Sequence, residues 1–543
     1  MSTIAYPRAA PAPDSRVRAR WFIGAGAAIF LGCFAAYALA GVYLLAALHI
    51  THGDGVSRTA LASFVIYGRD PHLASIGFDW EPLPSFVQIP LLAILRPFGW
   101  QLFAGPLQSA AFMAGAVALL WRFFGLFPRA ERTRPVLVGL FAINPMIVLY
   151  AANGLSEASL IFFIVGTVYF LLRWLEIGGY ASLIGMALMT AGAFSTRYEG
   201  VALAAGGAVA IVIAALAAPR LNPPRLEAML LTYLVPVSYA VLLWLFFNRL
   251  IMGDALFFLR GTYSNSSATS QLVTAGSPLQ GVAGSLGGSL SYAATRFFGN
   301  FAAFAPVALA AVVAIATRRE WRVLAVAAVC LAIPAFHVAL LYSGNSFGWL
   351  RFFMYSIPAA FLVLPYLLPI AHGRAMKTAL FAVLVAGFIG SDLLTGWIMD
   401  QPQLGREEYT FVDAALHRAG NPGDYRTMAD ERAVADYINA SLPGRLVLLD
   451  TVYGYAIPLL ADHPEQFAIT SDRDFQQILA SPTGRVDYIL ARAPVTSGVD
   501  LDLVNRTWPT LYGGALPWAT LVHDFGGESG WRLFAVAGRA PPK

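Results

Sequence analysis

Thr51-His52-Gly53-Asp54-Gly55-Val56-Ser57-Arg58 begins where the first long apolar run of this 543-residue chain stops. The stretch puts an aspartate at the mouth of an apolar helix. A short amphipathic segment follows, then Phe78-Asp79-Trp80-Glu81-Pro82-Leu83-Pro84, so that one loop carries several carboxylates and arginines at a bilayer surface. Upstream, the run at 22–48 is long enough to cross the ~30 Å hydrocarbon core. It is too long for a secretory signal and no small-residue cleavage motif follows it, so it reads as a retained first span. Arg8, Arg16, Arg18 and Arg20 precede it, and residues 1–20 read as a cytoplasmic tail.

Working outward, the chain is 58% hydrophobic and 12% charged, outside the range of soluble domains. Further apolar runs lie near 101–121, 135–150, 157–175, 181–195, 200–217, 228–250, 298–317, 323–341, 353–371 and 377–398. A shorter run spans 83–95. If that segment does not cross, one side of the membrane holds Arg122, Arg129, Arg132, Arg134, Arg173, Arg220, Arg225, Arg318, Arg319, Arg322, Arg374 and Lys377. The opposite short loops then carry chiefly Arg197 and Arg351. Counting 83–95 as a span would move the basic set outside, against the positive-inside rule. Pro82, Pro84 and Pro90 also interrupt it. The expectation is a membrane all-α bundle at 21–398 of about eleven transmembrane helices, N-terminus in the cytoplasm. Two interfacial helices, 56–67 and 83–95, lie in the external loop 50–100. Other external segments are 151–156, 196–199, the Gly/Ser-rich loop 251–297, and 343–352.

From 399 to 543 the composition changes. Asp430 to Ala440 and Asp474 to Leu479 read as helices, and Arg445 to Leu449, Phe467 to Thr470, Val486 to Leu490 and Trp531 to Val536 as strands. The alternation predicts a small external α/β domain. Cys33 and Cys330 both sit in apolar runs, against a disulfide framework or a zinc site. There is no P-loop and no GxGxxG after a strand, and a net charge of +5 spread over short loops suits topology better than nucleic-acid binding.

Asp54 leads the candidates for chemistry. His-Gly-Asp-Gly is also a good turn in its own right, but Asp70, Asp79 and Glu81 share the loop, and Arg58 four residues on can answer an anion. A carboxylate that deprotonates a hydroxyl needs a partly desolvated place, and a guanidinium suits a departing phosphate. Both together favour a lipid phosphate as substrate. Asn153, Ser156 and Glu157, in Asn-Gly-Leu-Ser-Glu-Ala, and Arg197-Tyr198-Glu199 lie on the same face, where they read equally as a helix start and a membrane anchor. Arg351 stands among aromatics on the cation-poor face, which points to phosphate contact. His52 and His72 lack metal-ligand spacing and read as polar loop residues. Asp54 with another carboxylate would offer oxygen ligands suited to magnesium or manganese. Tyr453, Tyr455, Trp508, Tyr512 and Trp518 in the tail read mainly as core, with stacking on sugars as the other reading.

The layout resembles the GT-C superfamily of integral-membrane glycosyltransferases, in the branch with protein O-mannosyltransferases, lipid A aminoarabinose transferases and actinobacterial arabinosyl- and mannosyltransferases. Asp54 after the first span carries the resemblance, with the interfacial helix, Phe-Asp-Trp-Glu-Pro-Leu-Pro, Asn-Gly-Leu-Ser-Glu-Ala, Arg-Tyr-Glu-Gly and an arginine in a late external loop; it covers roughly 20–400. It implies a polyprenyl-phosphate-linked sugar donor and a glycan, lipid or protein acceptor. Asp54 would be the general base, Asp79 or Glu81 the second acidic position, and Arg58 and Arg351 the donor-phosphate contacts. His52, Asn153, Glu157, Arg197 and Glu199 would lie about the cavity. The aminoarabinose-transferase pattern has a lysine beside its second acidic residue, where this chain has Trp80 before Glu81 and Pro82 after it. The expected setting is a bacterial plasma membrane and cell-envelope glycan synthesis. The rival is a transporter or flippase of lipid-linked saccharides, which should place ionisable groups inside its spans.

Overall fold

The computed structural model describes residues 15–261, 264, 269, 279, 281–367, 374–416, 428–495 and 500–538. Arg8 and the centre of the 251–297 loop lie outside the described residues.

The membrane part runs α1 (Ser15–Val42), α2 (Gly53–Tyr67), α3 (Leu83–Leu95), α4 (Ala104–Phe124), α5 (Arg134–Ile143), α6 (Pro145–Ala152), α7 (Glu157–Ile177), α8 (Tyr180–Thr196), α9 (Gly200–Leu216) and α10 (Pro223–Phe247). It continues through α11 (Leu286–Asn300), α12 (Phe304–Arg318), α13 (Trp321–Tyr342), α14 (Ser356–Val363) and α15 (Arg374–Met399). All eleven expected runs are helical where described. Six helices are long and apolar enough to cross a membrane, or up to eight if each bent pair is one span. The other three runs form the shorter helices Tyr180–Thr196, Gly200–Leu216 and Leu350–Tyr366, at the lower limit of a crossing. α3, extended to Phe98, is a fourth helix of this shorter kind. Leu39, Val235, Leu242, Val383 and Leu393 are exposed, as a lipid-facing belt requires.

Two helices break, and a third repairs both breaks. The α5–α6 pair bends by 59° and the α11–α12 pair by 106°. At the first break Asn144 accepts from the Met146 and Ile147 amides, and its Nδ2 donates to Asp392 Oδ1 at 2.7 Å. At the second, Ser391 Oγ accepts from the Ala303 amide at 2.7 Å and Thr395 Oγ1 donates to the Asn300 carbonyl at 2.6 Å. Ser391 and Thr395 of α15 thus satisfy backbone groups that lipid could not, and Asp392 holds the asparagine that caps the other break.

The first loop departs from expectation at one end. α2 starts at Gly53 rather than Val56, because His52 Nδ1 accepts from the Asp54 amide and caps the helix. Asp54 therefore sits in the first turn of a helix, where the helix dipole favours its charge. Gly55 lets this turn press on the 153–154 loop, since a Cβ there would come within 2.9 Å of the Asn153 carbonyl.

After α15 come α16 (Glu407–Ala415) and α17 (Ala429–Ser441), then a five-stranded sheet of order β2-β1-β3-β5-β4. Its strands are β1 (Val447–Leu448), β2 (Phe467–Ala468), β3 (Tyr488–Ala491), β4 (Ala519–Gly526) and β5 (Trp531–Val536). β1 pairs in parallel with β2 and β3, while β5 runs antiparallel to β3 and β4. The sequence reading misses β4, an edge strand with two register irregularities and exposed Leu521 and Val522, which blur the apolar alternation.

This unit is seated on α2. Val56, Ala60 and Phe64 share a core cluster with Val434, Ile438, Ile457 and Trp531. Around it Arg69 binds Asp472 at 2.9 Å and Asp474, Arg473 binds Asp70 at 3.3 Å, and Arg96 donates to the Ala461 carbonyl at 2.8 Å. Arg69→Ala leaves buried Asp472 without its cation. We expect a loss of about 1–3 kcal/mol, read as a lower unfolding temperature and faster hydrogen exchange in 469–475.

Candidate active site

Asp54 and Arg351 meet across 297 residues of chain. Arg351 Nη2 donates to Asp54 Oδ2 at 2.9 Å; the arginine side chain is 2% exposed, and the aspartate 39%, toward a cavity. The cavity proper measures about 50 Å³. Its charged walls are Asp54, Arg58, Glu81, Arg197, Glu199 and Arg351, and its aromatic walls Trp80, Tyr198, Trp349 and Phe352. Each arginine is aimed by its surroundings. Arg58 donates to the Glu81 carbonyl at 3.2 Å and lies over the Trp80 ring at 4.6 Å. Arg351 lies over Trp349 at 4.2 Å, on a turn that α11 grips: Arg296 Nε and Tyr292 Oη both donate to the Gly348 carbonyl. Gly348 has φ +63°, and a Cβ there would strike the Tyr292 hydroxyl at 2.5 Å, so only glycine fits.

Behind the walls runs a line of alternating charge. Arg197 binds Glu157 at 2.8 Å and Glu199 at 2.6 Å, both glutamates fully buried. Arg351 Nε also faces Glu407 Oε2 at 3.2 Å and Glu157 Oε1 at 3.7 Å. Glu407 reaches His52 Nε2 at 3.3 Å, and His52 stacks on Phe411. His337 sits 3.7 Å from Glu199.

The sequence-predicted residues therefore divide. Asp54, Arg58, Glu81, Arg197, Glu199 and Arg351 come together on the cavity. Glu157 and His52 stand behind it as partners of the arginine line. Asn153 is turned into its own loop, where Oδ1 accepts from the Leu155 amide, and Asp79 is not among the cavity walls. His72 holds the loop through Asp70 and Ser75. Sequence reasoning missed Glu407, and Glu408, which accepts from the Tyr150 hydroxyl at 2.5 Å. The available signal was Arg-Glu-Glu just beyond the last span. It also missed His337, an ionisable group within the span Trp321–Tyr342, whose partner belongs to this site.

The electrostatics separate the two first-loop acids. Burial raises the Asp54 carboxyl, but Arg351, His52 and Arg58 outweigh it and hold the group at about 2. Glu81 goes the other way: burial pushes it up to about 8, with Glu199 adding to the rise and Arg58 and Arg197 opposing it. Asp79 rises to about 6 through burial. Asp54 is thus an anion, and Glu81 a neutral acid, at neutral pH. Among the described residues no group of three or more His, Cys, Asp or Glu could hold a metal ion. Of the cavity carboxylates, Asp54 is answered by Arg351 and Glu199 by Arg197.

Solved structures share this fold over nearly the whole chain. The chain is similar to the crystal structure of ArnT from Cupriavidus metallidurans bound to undecaprenyl phosphate, with a TM-score of 0.56 at 13% identity over 98% of this chain and 100% of that one. The apo state of the same protein gives 0.54 at 12% identity over 97% and 100%. No protein-family model matches the sequence, and no curated protein matches it.

Proposed function

We propose that this protein is an inverting glycosyltransferase that takes a sugar from a polyprenyl-phosphate donor on the external face of a bacterial plasma membrane. The observation that carries the reading is the Asp54–Arg351 contact at 2.9 Å on a cavity that also carries Arg58 and Arg197. The likeness in fold to a protein crystallised with undecaprenyl phosphate supports it.

In the reaction, the acceptor hydroxyl gives its proton to the Asp54 carboxylate while its oxygen bonds to the anomeric carbon. The bond from that carbon to the phosphate oxygen breaks, its electron pair stays on oxygen, and polyprenyl phosphate leaves. Arg58 and Arg351 meet the charge that collects there. Arg58, stacked on Trp80, supplies a cation beside Glu81. A carboxyl held at about 2 is a weak base, but its low value depends on Arg351. A donor phosphate that engages Arg351 draws the guanidinium off Asp54 and lets the carboxyl regain basicity. The topology that goes with this chemistry is the eleven-span one, N-terminus in the cytoplasm and residues 399–543 outside.

The test is mass spectrometry of lipid-linked sugars from a deletion strain, paired with turnover in reconstituted vesicles. Accumulation of one polyprenyl-phosphate sugar, and its consumption by the purified protein, is expected. Movement of the intact lipid between leaflets without bond cleavage would establish the flippase instead.

A pH effect follows from Glu81. It ionises as pH rises through about 8, placing a negative charge beside Arg58. Affinity for undecaprenyl phosphate should therefore fall on the alkaline side, and Glu81→Gln should remove that limb. Titrating affinity from roughly pH 6 to 9 in both proteins checks it; an identical alkaline limb in the variant assigns the effect elsewhere.

A further inference from the structure

Beyond the last span the chain turns sharply back onto the site. A Cβ at Gly405 would collide with the Met399 carbonyl, and Arg406 takes φ +47°, where few side chains are at home. Such backbone persists where its surroundings hold it. Here Arg406 donates to the Phe347 carbonyl, on the turn that carries Arg351, and Glu408 accepts from the Tyr150 hydroxyl of α6. The first turn of α16 is thus pinned on two sides.

That turn sets Glu407 against two groups that both hold Asp54. Glu407 Oε1 lies 3.3 Å from His52 Nε2, and Phe411, one turn along the same face of α16, stacks on the imidazole. His52 Nδ1 accepts from the Asp54 amide, so the ring carries its proton on Nε2, toward Glu407. Glu407 Oε2 lies 3.2 Å from Arg351 Nε, while Arg351 Nη2 donates to Asp54 Oδ2 at 2.9 Å. Asp54, His52, Glu407 and Arg351 therefore close a ring. One contact in it is unfinished: Arg351 Nε and Glu407 Oε2 are both buried, and neither makes a hydrogen bond among the described residues. An acidic first turn suits any helix, but the dipole alone would not bring both oxygens of Glu407 to the partners of Asp54.

We infer that Glu407 is a positioning residue for the transfer, which receives Arg351 when a donor phosphate draws that guanidinium off Asp54. The Nε–H then turns into line with Glu407 Oε2, and the cation stays at the cavity wall. A guanidinium carries five N–H groups in one plane, so Nε can hold a carboxylate while the Nη groups serve another anion. The same carboxylate keeps His52 turned to the Asp54 amide, which fixes the first turn of α2 beneath the base. The inference rests on the transferase reading and adds a residue that is not itself a wall of the cavity.

The test compares Glu407→Gln and Glu407→Asp with the wild-type chain in nanodiscs. The donor is the labelled polyprenyl-phosphate sugar that the deletion strain accumulates, with membrane extract of that strain as acceptor. A glutamine can accept from His52 or from Arg351, but it turns its NH2 on the other. Glu407→Gln should lower single-turnover release of polyprenyl phosphate at saturating donor roughly tenfold to a hundredfold, with undecaprenyl phosphate affinity unchanged or tighter. Glu407→Asp keeps both acceptor oxygens and should recover part of the rate. Hydrogen exchange at 53–56 should quicken in Glu407→Gln while 83–95 exchanges as in the wild type, which separates a local loosening from a general one. Undiminished release in Glu407→Gln, a loss of affinity equal to the loss of rate, Glu407→Asp no faster than Glu407→Gln, or unchanged exchange at 53–56 overturns the inference. Quickened exchange at 53–56 in Glu407→Gln, with no release by the wild-type chain, would retain Glu407 as the residue that positions Asp54 and reject the donor assignment.

Discussion

Asp54→Asn is expected to lower sugar transfer by about 10²–10⁴-fold, the usual worth of a positioned general base, with undecaprenyl phosphate still bound. The amide is nearly isosteric and sits at the start of α2, where either side chain is tolerated. What it cannot do is accept the hydroxyl proton. It also loses the charge that Arg351 answers, which leaves that guanidinium freer to hold a phosphate, so donor affinity should hold or rise. The measurement is single-turnover transfer from a labelled polyprenyl-phosphate sugar, alongside lipid binding by the same preparation. Near-native transfer by the variant would remove Asp54 from the chemistry.

Arg197→Ala should produce the largest loss of stability. This guanidinium is shared by Glu157 and Glu199, each fully buried, at 2.8 and 2.6 Å. Deleting it strands two carboxylates in a low-dielectric interior, and breaking a buried pair in this way costs about 3–5 kcal/mol. Arg197→Lys restores charge without the fork that reaches both partners, and should recover only part of the loss. Thermal unfolding in detergent, compared among the three proteins, reads this directly. An unfolding temperature unchanged in Arg197→Ala would mean that both glutamates are protonated in the native protein. Activity should fall with stability, because the same guanidinium lines the cavity.

Much of the cavity lining was legible because charged groups at a membrane surface leave a local mark. Asp54, Arg58 and Glu81 fall within one loop, and a carboxylate or arginine beside an apolar run is conspicuous. Arg351 was legible for a related reason: it stands nearly alone on a face that topology keeps poor in cations. Glu407 carried no such contrast, since an acidic pair at the start of a juxtamembrane helix is common. Its role appears only when α16 packs beside α2. The choice between Asp79 and Glu81 was likewise beyond local pattern. The two are neighbours but one, and the backbone turn at Trp80 alone puts Glu81 on the cavity and leaves Asp79 off it.

By itself the sequence determined the membrane class, the helical runs, the loops that carry charge and the α/β character of the tail. These follow from hydropathy, from the period of side chains along a strand or helix, and from where arginine is tolerated, all properties of short segments. Tertiary structure decided that Asp54 pairs with Arg351, 297 residues away, and that Tyr455 packs on the turn before Asp54. Pairing across hundreds of residues depends on how broken helices and a sheet edge converge in space, and no local pattern encodes that distance.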